Sequence, residues 1–362
     1  MYLKKISVSN FKNISEASIT FSGKLNCISG INGSGKTNLL DAVYLLSMTK
    51  SYFSSIEQYI VKYGQQRAAV IGEYTREDGT TERISVNIDI TSGKQIKRNS
   101  KTYNRLSDHI GLIPVVMISP SDTALINDSG AERRKYLNSI LSQLDREYLR
   151  RVQNYNLLLA QRNKLFKGDD LNEDLLWAYS EKMTEDGEYV HRMRSEFARS
   201  ITPVVEHYYS LISVERESIG IEYKSDLDGT TVKDLFRKSL RRDSLLGYTT
   251  SGLHRDDLLF FMNGHPIKNG GSQGQQKSFL IALKLALFAT IKEQKGEAPI
   301  LLLDDIFDKL DITRVESLLK LVATSNFGQI FLTDSNKTRV SDVIRTIDGD
   351  SLSFEIDKGV LV

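Results

Sequence analysis

Hydrophobic and polar positions alternate from the first residues of the chain. Leu3 to Val8, Ala17 to Phe21 and Leu25 to Ser29 each have period-2 or β-rich character and predict three short strands. A glycine-rich turn follows. From Lys36 to Ser47, Leu39, Leu40, Val43, Leu45 and Leu46 supply the apolar positions of a helix. Strand patterns return at Ala68 to Ile71 and Ile84 to Ile88. Lys94 to Lys101 reads as a basic hairpin, and Ile113 to Ile118 as a buried strand. From about Ser121 to Ile212 the character changes: Pro203 is the single proline, charged helix-favouring stretches dominate, and Leu149, Val152, Tyr155 or Asn156, and Leu159 follow helical spacing. Residues 213–250 are mixed. The β/α pattern then resumes, with a strand at Leu258 to Met262, a helix from about Gly274 to Ile291, and a strand at Ile300 to Leu303. A helix at Thr313 to Thr324 and a strand at Gln329 to Leu332 complete it.

This order predicts an α/β fold whose first lobe comes from both ends of the chain, 1–118 and 246–362, around a mainly helical second lobe at 119–245. There is no internal repeat, and no heptad pattern is sustained long enough for a coiled coil.

Composition narrows the setting. The 362 residues are 40% hydrophobic and 26% charged, enough for a sizeable core and a soluble surface. The 48 basic and 46 acidic residues leave a net charge of +2, so any nucleic-acid face must arise from local clustering. Cys27 is the one cysteine; no internal disulfide can form, which fits a reducing compartment. No apolar signal core follows the first residues. The longest apolar runs, Ile300 to Leu303 and Phe279 to Ala289, fall short of the roughly 18–20 residues that span a bilayer. A cytoplasmic protein with no membrane partner is expected.

Three segments carry chemistry. Gly30, Ile31, Asn32, Gly33, Ser34, Gly35, Lys36 and Thr37 match G-x-x-x-x-G-K-S/T between a strand and a helix. Glycines let the backbone turn successive N–H groups toward one anion, and the helix N-terminus adds its positive end. Lys36 is expected to reach the β- and γ-phosphates of ATP, and the Thr37 hydroxyl to bind Mg²⁺. The apolar run Ile300 to Leu303 ends in Asp304 and Asp305, at the strand end where ligands bind. Asp304 is expected to orient Mg²⁺, and Asp305 to position or deprotonate the attacking water. Lys36 and Asp304 stand so far apart in sequence that a large insertion must separate them. The third segment, residues 271–277, is a polar turn leading into a helix. There Ser272, Gly274 and Gln275 offer hydroxyl and N–H donors to an anion.

The third segment resembles the L-S-G-G-Q signature of ABC-type ATPases, with Gly271 in place of the leucine and Gln273 in place of the first glycine. The resemblance implies that Ser272 and its neighbours act in trans, closing over the γ-phosphate bound to a second copy. Asp305 to Asp311 is similar to the D-loop of that class. Thr333 ends the next strand, where it either senses the γ-phosphate or caps. No Q-loop glutamine is placed; Ser119-Pro120-Ser121-Asp122 occupies that junction.

Residues 32–42, with Val8 to Asn13, resemble the SMC-type chromosome and repair ATPases. Within that group the likeness is to the RecF family. It is carried further by Glu132 to Asn138, His254 to Leu258, Ser272 to Lys277 and Leu301 to Asp311, and extends to about residue 345. It implies an ABC-type P-loop ATPase head with a helical second lobe and no long coiled coil. It implies slow, DNA-stimulated ATP hydrolysis with ATP and Mg²⁺, and an ATP-dependent homodimer. It also implies binding to single-stranded or gapped duplex DNA, and cooperation with RecR and RecO in loading the recombinase RecA. The setting it implies is recombinational repair, replication-fork maintenance and the SOS response to DNA damage. Two departures are local. Leu253 stands where a proline is usual, and the acid Asp305 is shorter than the glutamate of transporters and SMC proteins, which predicts slow turnover.

Four basic clusters are candidates for a DNA contact or for ordinary solvated surface. They are Lys94, Lys97, Arg98 and Lys101; Arg133, Arg134 and Lys135; Arg150 and Arg151; and Arg237, Lys238, Arg241 and Arg242. His254 and Trp177 read as core packing. Competing functions fare worse. An ABC-transporter nucleotide-binding subunit would place its signature much nearer the phosphate loop. An ATP-gated nuclease would need a further acidic domain, and a non-hydrolysing scaffold would not need Lys36, Thr37, Asp304 and Asp305 together.

Overall fold

The computed structural model describes the chain except for residues 169–170, 214–216, 308–309, 311, 325–326, 339–343, 346–349 and 362. The described residues form two compact units. The first holds 1–122, 207–216 and 273–362, and the second 123–206 and 217–272.

The first unit opens with β1 (Tyr2–Phe11), β2 (Ile14–Thr20), β3 (Leu25–Ser29), α1 (Lys36–Met48), β4 (Arg67–Thr75), β5 (Thr81–Asp89), β6 (Gly93–Arg98), β7 (Lys101–Thr102) and β8 (Val115–Ile118). The second contributes α2 (Ala124–Asn127), α3 (Gly130–Leu144), α4 (Arg146–Leu165), most of α5 (Glu173–Ile212), β9 (Ile219–Lys224), α6 (Val232–Leu246), β10 (Asp257–Met262), β11 (His265–Pro266) and α7 (Ile267–Gly270). The chain returns to the first unit with α8 (Gln273–Lys295), β12 (Ile300–Asp304), α9 (Ile312–Thr324), β13 (Ile330–Asp334), β14 (Ser351–Asp357) and β15 (Val360–Leu361).

Two sheets build the first unit. One runs β2-β1-β4-β5-β6-β7, antiparallel throughout. Its middle strands alternate strictly: Ala68, Val70, Gly72 and Tyr74 of β4 are buried, and so are Glu82, Ile84, Val86 and Ile88 of β5. The other runs β15-β14-β3-β13-β12-β8, with the five strands from β14 to β8 parallel. Every residue of β3, β12 and β13 is buried, as expected of parallel strands covered on both faces. Cys27 lies within β3, where burial pushes its thiol up to about 12.

Beside its helices the second unit holds a small sheet, in which β9 pairs antiparallel with β10, and β10 with β11. Its extent differs from the sequence expectation: it runs on to residue 272 instead of giving way to the first lobe at 246. The alternating strand Leu258 to Met262 therefore belongs with β9, not with the α/β material that follows. Side-chain pairs hold this unit together. Arg133 donates to both oxygens of Asp257 (2.6 and 2.9 Å) and Arg134 to the Asp256 carbonyl (2.7 Å). These contacts join the Glu132–Asn138 and His254–Leu258 segments. Leu253 N donates to the Tyr155 hydroxyl at 3.3 Å, a bond that a proline could not make. His254 is half-buried, with Nε2 2.9 Å from the Thr249 carbonyl. Trp177 is half-buried rather than central, with the Arg237 guanidinium over its ring.

No helix among the described residues is long and apolar enough to cross a membrane.

Candidate nucleotide site

Parallel strands bring their carboxyl ends to one edge, and three of those ends make the site. β13 lies between β3 and β12, in the register Asp304 to Thr333 on one side and Thr333 to Ile28 on the other. Gly30 to Thr37 therefore begins beside the strand end that carries Thr333, next to the one that carries Asp304.

The loop itself is tightly constrained. A Cβ on Gly30 would run into the Ile356 carbonyl and the Ser34 hydroxyl, so only glycine fits there. Gly33 and Gly35 have φ of 82° and 116°, and Gly35 caps the start of α1. Ile31, Asn32 and Gly33 are exposed at the tip, while Ser34, Gly35 and Lys36 are buried. Lys36 Nζ donates to the carbonyls of Gly30 (2.8 Å) and Ile31 (3.3 Å) and is thereby held across the loop.

Thr37 Oγ1 donates to Asp304, 2.9 Å from Oδ1 and 3.1 Å from Oδ2. Thr333 Oγ1 donates to the same Oδ1 at 2.8 Å. Burial pushes the Asp304 carboxyl up and so opposes its charge; the two hydroxyls offset this in part. Asp305 follows with φ of 44°, the left-handed region that non-glycine residues seldom enter, and its N–H lies 3.1 Å from Thr333 Oγ1. The strand ends abruptly there, between two successive carboxylates.

These residues suit a polyphosphate and a hard cation. Ser34 Oγ is buried with no hydrogen-bond partner among the described residues, a donor that a phosphate oxygen would satisfy. The Thr37 hydroxyl and the Asp304 carboxylate are oxygen ligands of the kind Mg²⁺ takes, and a cation would relieve the desolvated charge.

The signature residues lie at the passage between the units. Ser272 is the last residue of the second unit and is exposed; Gly274 and Gln275 are half-exposed in the first turn of α8. The Arg314 guanidinium packs on Gly274 where a Cβ would otherwise sit. Of the D-loop, Asp308, Lys309 and Asp311 lie outside the described residues.

The structure adds supports that had no assigned role in the sequence. Asn13 Nδ2 donates to the Ser34 carbonyl at 3.3 Å, and Asn38 Nδ2 donates to Asn13 Oδ1 at 2.7 Å. Gly359 N donates to the Ser34 carbonyl at 2.7 Å. Gly359 ends a tight turn in which Lys358 (φ 47°) and Gly359 (φ 81°) are both left-handed. The β14–β15 hairpin thus latches the phosphate loop from behind. Asp41, wholly buried on α1, accepts from Lys12 (2.6 Å), Ser51 (2.6 Å) and the Tyr52 N–H (2.7 Å). At the junction where no Q-loop glutamine was placed, Asp122 pairs with buried Lys284 of α8 (2.7 Å), which also donates to Tyr52 (2.8 Å) and the Met117 carbonyl (2.9 Å). The signal for these was faint. Lys12, Asn13 and Asp41 fall inside the SMC-like segments, and Lys284 is the one charge within an apolar helical run.

The chain is similar to characterised proteins along its whole length. The family model of the RecF/RecN/SMC N-terminal domain matches residues 2–349. A "DNA replication and repair protein RecF" of Bacteroides thetaiotaomicron is 44% identical over 362 residues, covering 100% of this chain and 98% of that one. The protein of the same name from Flavobacterium johnsoniae is 43% identical over 350 residues, covering 96% and 97%. Among solved structures, the recombination mediator protein RecF with ATP, of the RecFOR pathway, superposes with a TM-score of 0.89 at 30% identity, covering 100% of this chain and 97% of that one. An Smc head domain from Pyrococcus furiosus shares the fold, with a TM-score of 0.59 at 17% identity over 99% and 95% of the two chains.

Proposed function

We infer function from one premise: this chain belongs to the RecF family of DNA replication and repair proteins, in the SMC-like branch of the ABC-type ATPases. The proposed activity is Mg²⁺-dependent binding and slow hydrolysis of ATP at the interface of a homodimer that clamps on gapped or single-stranded–duplex DNA. The observation that carries it is the convergence of Thr37 and Thr333 on Asp304 beside the phosphate loop.

Each residue has a part. The backbone N–H groups from Gly30 to Thr37 and the N-terminus of α1 take the phosphates of ATP. Lys36 leaves the carbonyls of Gly30 and Ile31 for the β- and γ-phosphates, and Ser34 Oγ adds a donor. Thr37 and Asp304 would hold Mg²⁺, which neutralises charge developing between the β- and γ-phosphates. Asp305 orients or deprotonates the attacking water, and its short side chain keeps turnover slow. Ser272, Gly274 and Gln275 of a second copy complete the cage around the γ-phosphate. The nucleotide thereby controls DNA affinity by controlling geometry, and in the cytoplasm RecR and RecO are the partners with which RecA is loaded.

The test is the mass of the protein in solution with and without ATP–Mg²⁺. The wild type is expected to be monomeric without ATP and dimeric with it. Ser272→Arg should bind ATP with near-normal affinity yet stay monomeric, because the new side chain fills the space meant for a partner's γ-phosphate. A Ser272→Arg protein that dimerises and hydrolyses ATP normally refutes the trans role. Asp305→Asn removes the charge needed to activate water while leaving the phosphate contacts. It should accumulate as an ATP-bound dimer, with hydrolysis reduced on the order of 100-fold or more. Hydrolysis by Asp305→Asn at the wild-type rate excludes it as the catalytic acid.

A further inference from the structure

Of the four basic clusters, three have half or more of their cations engaged by their own neighbours. Arg133 is committed to Asp257, Arg134 to the Asp256 carbonyl, and Lys135 to Glu132 at 2.6 Å. Arg150 and Arg151 share Glu147, and Arg151 also reaches Glu185 and Asp186. In the hairpin of β6 and β7, Lys94 pairs with Glu57 and Arg98 with Glu82, while Lys97 and Lys101 make no ion pair among the described residues. A guanidinium already held by a carboxylate has little to gain from a phosphate, because the old pair must first break.

α6 is different. Its sequence carries Lys233, Arg237, Lys238, Arg241 and Arg242 against two acids, Asp234 and Asp243. Asp243 is wholly buried and pairs inward with Arg162 at 3.0 Å, so it does not offset the outer face. Arg237, Lys238, Arg241 and Arg242 are all exposed. Among the described residues, Arg237 alone of the four has an acidic partner, Asp234 at 3.8 Å. Lys238, Arg241 and Arg242 make no ion pair among the described residues. The four cations fall within two turns, about 8 Å of helix. The helix beneath them is firmly seated by buried Val232, Phe236, Ser239 and Asp243. Asp243 also accepts from Thr250 N (2.9 Å) and Oγ1 (2.7 Å), Thr231 caps the start, and left-handed Gly247 closes the end. Just beyond the cations, exposed Leu245 and Tyr248 offer apolar contact to sugars and bases.

Resting on the reading of the protein as a DNA clamp, we propose that the outer face of α6 is the surface that grips the phosphate backbone of duplex DNA, in a sequence-independent way. Its charge is preassembled on a rigid helix and complements a polymer with one negative charge per about 1.7 Å. The positions of the four cations, and the lack of ion pairs at Lys238, Arg241 and Arg242 among the described residues, point to it, not the overall charge of +2.

The full-length protein with ATP–Mg²⁺ should be titrated against gapped and intact duplex DNA over a range of salt. Each neutralised phosphate contributes about 0.9 to the slope of log K against log salt. The double variant Lys238→Gln/Arg241→Gln should therefore flatten the slope by about 2 and weaken binding roughly 30-fold at 0.15 M salt. Lys135→Gln/Arg150→Gln, which removes two locally paired charges, should leave slope and affinity within about twofold. A slope that stays unchanged in the α6 double variant, and also after Arg237→Gln and Arg242→Gln are added, overturns the assignment while the wild type still binds. A wild type with no salt-dependent DNA binding overturns the clamp reading itself, and this face with it.

Discussion

Lys36→Ala should bind ATP on the order of 100-fold more weakly and form no ATP-dependent dimer. The ammonium is buried and, among the described residues, donates to the carbonyls of Gly30 and Ile31 alone, so its removal leaves the loop's own scaffold in place. What is lost is a charge-assisted bond to phosphate, worth about 1.5–3 kcal/mol for each contact, and a lysine reaching two phosphates makes more than one. The effect is readable without hydrolysis. At an ATP concentration of about 100 times the wild-type Kd, ligand linkage stabilises the wild type by about 2.7 kcal/mol. A variant weakened 100-fold gains only about 0.4 kcal/mol at that concentration, so its ATP-induced rise in Tm should nearly vanish. The phosphate loop would be misassigned if the variant kept an affinity within a few-fold of the wild type and dimerised with ATP.

The two halves of that site were unequally legible in the sequence. The continuous apolar run before Asp304 marked a buried parallel strand and the β-rich segment before Gly30 a strand, and the structure places both in the same sheet. That β13 would lie between them could not be read, because strand order is set by long-range pairing that leaves no local pattern. The β14–β15 latch was missed for a related reason. β14 runs along the sheet's margin with mixed exposure, and only Ile356 is fully buried, so no period-2 signal rises above background. Yet its turn is fixed by Gly359, where a Cβ would lie 2.6 Å from the Asn13 carbonyl. Misreading β10 has the same root. Its apolar run was clear, but its partner Ile219–Lys224 is half-exposed or exposed except at Ile219 and lay in the stretch read as mixed, so the strand was joined to the wrong unit.

Buried ionic groups were the least legible of all. The Glu132–Asn138 and His254–Leu258 segments were visible only as a family resemblance. The structure gives them a physical task, since Arg133 meets Asp257 across 124 positions of sequence. The same holds for Lys284, whose charge interrupts an apolar helix in order to hold Asp122 and Tyr52. A charge in an otherwise apolar run is expensive to bury, and so it marks a partner somewhere in the fold without saying where.

The second unit should be most sensitive at Arg194, the hub of its buried network. Arg194 donates to Asp256 (2.6 Å), the Leu253 carbonyl (3.1 Å), Tyr148 (3.1 Å) and Asn138 (3.0 Å). Asp256 is fully buried and also accepts from Ser225 at 2.6 Å and from the Tyr223 hydroxyl. Burial pushes its carboxyl up, and the Arg194 charge is the largest influence in the opposite direction. Arg194→Met keeps most of the side-chain volume but strands that carboxylate, together with the Asn138 and Leu253 oxygens. Breaking one side of a buried pair costs about 3–5 kcal/mol, which should lower the Tm on the order of 10 °C. Adding Asp256→Asn to Arg194→Met removes the stranded charge, so the double variant should be more stable than the sum of the two single losses by at least about 1 kcal/mol. Urea unfolding of the four proteins measures both quantities. A loss under about 1 kcal/mol for Arg194→Met, or strict additivity in the cycle, would mean that the pair carries no such weight and that Arg133 with Asp257 holds the two segments together.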